Sequence, residues 1–150
     1  RGAERDYLAR IDFGHEVVGV DLQDELARRH PDAGPAIRVF YAPALAGDVN
    51  GQAWSPAFVA TCATDRSALT NALFINGRTR GPYTLAHEMK HILVDSGGRT
   101  SAEQHYPRSG VDERHNLLRG GGLPGREAWN APMRIREPDV NTIISRLGSL

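Results

Sequence analysis

Cysteine is almost missing from this chain, with Cys62 the only one among 150 residues. A lone thiol excludes an internal disulfide and a thiolate metal cage, so any metal must be held by His, Asp or Glu. No stretch approaches the roughly 20 apolar residues of a membrane span. The chain opens at Arg1 with neither an initiating Met nor a basic-apolar leader. It therefore reads as a mature form or a domain cut from something longer, with secretion or export the preferred destination. Net charge is missing too, because 18 Lys and Arg balance 18 Asp and Glu. That balance argues against a domain built mainly to hold nucleic acid or an anionic membrane.

What remains is enough for one domain over residues 1–150. Hydrophobic residues make up 40% and charged residues 24%, so the chain can bury a core. With 16 Gly and 9 Pro, many turns and irregular loops are expected. Val17, Val18, Leu22 and Leu26 stand at helical spacing between His15 and His30, and Pro31 stops that helix. Ala36 to Tyr41 is β-branched and aromatic and reads as a strand. Ala44 to Ser55 reads as a loop, Ala57 to Cys62 as a short strand and Asn71 to Asn76 as a buried strand. A helix is expected from Pro82 or Thr84 to Val94, with Gly97 or Gly98 as its left-handed cap. Arg99 to Met133 carries almost no periodicity, and a loop that long needs something to tie it down. Pro138 to Leu147 reads as a final helix.

One motif carries chemistry, His87-Glu88-Met89-Lys90-His91. Residues four apart share a helix face, so both imidazoles can reach one ion. Neutral imidazole suits Zn²⁺, and Glu88 can stand beside a metal-bound water as general base. A tetrahedral zinc site then needs one more protein ligand. Asp95 lies a further turn along with a short side chain, and Glu103 sits in a poor helical pattern. His105 follows the glycine turn and is the preferred third ligand, with His115 the alternative.

The run Thr84 to Leu93, then Ser96-Gly97-Gly98, His105-Tyr106 and Asn116-Leu117-Leu118, resembles a metzincin-type zinc peptidase of the His-Glu-x-x-His zincins. The resemblance covers roughly Leu73 to Gly122. It implies a zincin-like α+β domain: a small twisted mixed β-sheet packed on an active-site helix, a long irregular C-terminal region and a final helix. By it, His87, His91 and His105 are the ligands of one catalytic Zn²⁺ and Glu88 is the base and proton shuttle. Leu118, or else Met133, stands where the clan's turn methionine does. Residues 98–104 read as an insertion, since His105 lies fourteen residues beyond His91 where the clan's compact spacing needs six. Lys90 replaces a small residue and is expected at solvent.

The implied activity is metalloendopeptidase hydrolysis of a protein or peptide substrate, with Glu88 passing the water proton to the leaving amine. Tyr106 is the candidate donor to the oxyanion. An extended substrate is expected to pair with an edge strand around Leu73 to Asn76. Two other functions stand beside this one: a non-catalytic protein-binding module on a metallopeptidase scaffold, and a zinc hydrolase of a small amide. The intact Glu88 disfavours the first, and the context of Cys62 disfavours the second. Cys62 itself reads as an inert core thiol. Trp54 and Trp129 read as core or subsite walls rather than nucleic-acid stacking platforms.

Overall fold

A computed structural model describes residues 17–31, 36–78, 81, 83–95, 135 and 137–148. These form a small mixed α+β protein with four helices and a three-stranded sheet. In chain order the elements are α1 (Val20–Arg29), β1 (Arg38–Ala42), β2 (Gly51–Trp54), α2 (Pro56–Val59), β3 (Ala72–Asn76), α3 (Thr84–Leu93) and α4 (Glu137–Leu147). Short 3₁₀ turns lie at Ala46–Asp48 and Ser67–Leu69.

The sheet order is β1-β3-β2. β3 runs parallel to β1, with Phe40 opposite Phe74, and antiparallel to β2, with Ala53 opposite Leu73. Every residue of β3 is buried, as its continuous apolar run requires of a strand covered on both faces. Alternation along the strand then sorts its side chains into two layers. Ala72 and Phe74 join Leu26, Ala27, Leu45, Trp54 and Leu69 on the α1 face. Leu73 and Ile75 meet Ile92 of α3 on the other face. Arg38 ties the first layer together, donating to Ala27 O at 3.0 Å, His30 O at 3.1 Å and Thr70 O at 3.0 Å.

Several expectations shift. Residues 44–55 do not form only a loop, because β2 lies within them. Its four residues include Gly51 and Gln52, so pairing with β3 rather than local propensity makes it a strand. Ala57 to Cys62 is not a strand. Ser55 accepts a hydrogen bond from the Phe58 amide at 3.2 Å and Pro56 opens the turn, which together start helix α2. The first helix begins at Val20, and Val18 instead makes an extended parallel bridge to Leu45. β3 is the central strand rather than an edge, which removes Leu73 to Asn76 as a strand-addition site. The strand from Ala36, the helix from Thr84 and the final helix hold within two residues of their expected ends.

Candidate metal-binding site on helix α3

α3 begins where Thr84 Oγ accepts the Gly81 amide at 2.8 Å, and its first helical bond runs from the His87 amide to Tyr83 O at 2.8 Å. It ends at Leu93, and two residues further on Asp95, with a φ of 51°, takes the left-handed conformation; Gly97 and Gly98, expected as the cap, lie outside the described residues. Asp is among the few side chains that tolerate this region. Asp95 Oδ1 also accepts the Ala57 amide at 2.8 Å, at the start of α2. That bond ties the end of α3 to the start of α2.

His87 and His91 occupy one face of α3, with His91 buried and His87 half-buried. Their rings meet edge to face, 79° apart, with centroids 4.8 Å from one another. The two Nε2 atoms lie 3.1 Å apart. Two imidazoles holding a tetrahedral zinc at Zn–N distances of about 2.0–2.1 Å need nitrogens about 3.3 Å apart. The observed separation is close to that value. A lone ring pair at this separation works as one donor and one acceptor, while both lone pairs can face a shared cation.

Glu88 is 6% exposed. Burial pushes its carboxyl pKa up to about 8, and a hydrogen bond from the Ala53 amide pulls the other way. Along β2, Gly51 and Ala53 share the α3 face, while Gln52 and Trp54 face α1. Glu88 lies over Gly51 on that α3 face. Trp54 is 3% exposed and donates through Nε1 to Gln23 Oε1 at 2.7 Å, so it is core rather than a subsite wall.

Lys90 is not at solvent. It is 2% exposed, and its Nζ meets Asp139 Oδ2 of α4 at 2.7 Å. Outward-facing sequence logic fails there because α4 covers that side of α3 and brings the counter-charge with it. Cys62 is half-buried beside the α1-face core, with Sγ 3.8 Å from Phe58 O.

Comparison with protein-family models, with curated proteins and with solved structures finds no match.

His87 and His91 are thus the sequence-derived site residues that the structure brings together, while Glu88 neighbours them along α3 with its carboxyl group over Gly51. His105, Tyr106, His115, Leu118, Met133, Glu103 and Trp129 lie outside the described residues. Among the described residues no group of three or more His, Cys, Asp or Glu converges on one point. None of their helices is long and apolar enough to cross a membrane. Sequence reading missed Gly51, Ala53 and Asp139 at this site. Lys90, standing where a small residue was expected, was the one available signal that a buried acid must face it.

Proposed function

We propose that this chain is a zinc-dependent metalloendopeptidase of zincin-like architecture, with His87 and His91 holding one zinc ion and Glu88 as general base. The observation that carries this reading is the 3.1 Å approach of the two Nε2 atoms on the helix that bears Glu88. When bound, the ion supplies Lewis acidity toward the scissile carbonyl and a water with pKa near 7.

Glu88 takes a proton from the attacking water and returns it to the leaving amine. Its buried surroundings favour the protonated carboxyl that performs the second transfer, and a neighbouring cation favours the carboxylate that performs the first. His105 is the proposed third ligand, His115 the alternative, and Tyr106 the proposed donor to the developing oxyanion.

Metal analysis tests the reading first, with close to one zinc per chain expected; a chain that refuses zinc overturns it. Glu88→Ala is expected to keep the zinc and to abolish cleavage of casein, an unstructured protein substrate. Cleavage that persists in that variant removes Glu88 from the mechanism. His105→Ala is expected to weaken zinc retention far more than His115→Ala, and the reverse order exchanges the two assignments.

A further inference from the structure

Glu88 projects from α3, but the contacts that locate its carboxyl group come from β2. A Cβ added at Gly51 would stand 2.6 Å from Glu88 Cγ, 2.7 Å from Oε1 and 2.9 Å from Cδ. No residue larger than glycine fits there while Glu88 keeps its place. Among the described residues Gly47 is the glycine with a positive φ, so Gly51 is needed for space and not for backbone conformation.

The second contact is the Ala53 amide. Asn76 donates to Asn50 O at 2.9 Å across the antiparallel ladder. Counting along from that pair, Gln52 turns its amide toward β3 and Ala53 turns its amide away. An amide on the outer side of an edge strand has no sheet partner, and this one stands near enough to the Glu88 carboxyl to favour its charged form. β2 is itself anchored from the opposite face. Gln23 of α1 donates to Gln52 Oε1 at 3.0 Å and accepts from Trp54 Nε1 at 2.7 Å.

We infer that Gly51 and Ala53 are positioning residues for Glu88: β2 forms a seat that sets where the carboxyl group stands relative to the two histidines. The kinetic consequence rests on the peptidase reading above, whereas the seat itself does not. The group that an added Cβ would strike is the mobile end of a side chain rather than backbone. Gly51→Ala is therefore expected to move Glu88 while leaving β2 and the His87–His91 pair in place.

Amide hydrogen exchange at Ala53, followed by NMR on the full chain, reads the seat directly. Protection at Ala53 is expected to fall roughly tenfold or more in Gly51→Ala and in Glu88→Ala. Gly51→Ala is also expected to retain its zinc and to lose kcat with little change in KM. Should Gly51→Ala fail to fold, Glu88→Ala empties the seat without adding an atom and gives the same amide readout. Unchanged protection in Glu88→Ala overturns the inference, as does a folded Gly51→Ala that loses zinc or keeps full kcat. A wild type that neither binds zinc nor cleaves, yet shows the loss of Ala53 protection in both variants, overturns the peptidase reading and upholds the seat.

Discussion

The two faces of the sheet are built on different terms. On the α1 face, Phe40 and Phe74 stack with centroids 4.7 Å apart and planes within 12°, amid Leu26, Leu45, Leu69 and Trp54. On the α3 face the fully buried apolar cluster among the described residues is Leu73, Ile75 and Ile92, and Glu88, Lys90 and His91 are buried beside it. Burying a carboxyl, an ammonium and an imidazole costs free energy that an apolar layer does not. Among the described residues the α1 face holds the larger apolar layer, with Gln23 and Asp24 buried at its side, and the α3 face sets a carboxyl, an ammonium and an imidazole against a smaller one.

Four measurements break or sharpen that contrast. The largest expected effect is on the α1 face, where Phe74→Ala leaves a cavity in the central strand. Urea unfolding should show a loss of about 4 kcal/mol, while zinc stoichiometry of the folded fraction stays unchanged. If zinc is lost in parallel, the faces are not separable.

On the α3 face, Asp139→Asn removes the negative charge that meets the Lys90 ammonium. The expected loss is about 3 kcal/mol, the lower end for a broken buried pair, because the Asp139 side chain keeps 12% exposure. The double variant Lys90→Met with Asp139→Leu should recover most of that stability. Failure to recover would mean that the pair does more than neutralise itself.

A smaller effect comes from pH. The folded-state pKa of Glu88 is raised from 4.5 to about 8, so the native state binds this proton more tightly than the unfolded chain. Its contribution is fully present below the unfolded value and is lost as pH rises through the folded one. The chelator-treated chain should therefore lose on the order of 2 kcal/mol between about pH 6 and pH 8, relative to Glu88→Gln at the same pH values. Parallel pH curves for the two proteins would contradict the buried seat. The smallest effect expected is about 1 kcal/mol for Ser55→Ala, which removes the N-cap of α2. Thermal unfolding measures it, with the α3 face unaffected.

How much was legible follows from the range of each signal. β3 and α3 announce themselves locally, through a continuous apolar run and a four-residue spacing of histidines that puts both rings on one face. Ser55-Pro56 was an equally local helix signal, but β-branched Val59 and aromatic Phe58 read as strand and obscured it. β2 had no local signal, since Gly51 and Gln52 favour no strand on their own.

By itself, then, the sequence determined the chemistry on offer: one thiol, no net charge, and two imidazoles flanking a carboxylate at helical spacing. Tertiary structure alone decided that β3 lies in the middle of the sheet, that Asp95 just beyond α3 binds the start of α2, and that Lys90 faces Asp139. It also decided that Gly51 and Ala53 hold Glu88. The reason is distance along the chain. Helix and strand periodicities repeat within a few residues, whereas Lys90 and Asp139, or Gly51 and Glu88, become neighbours only when separate elements pack and buried polar groups must find partners.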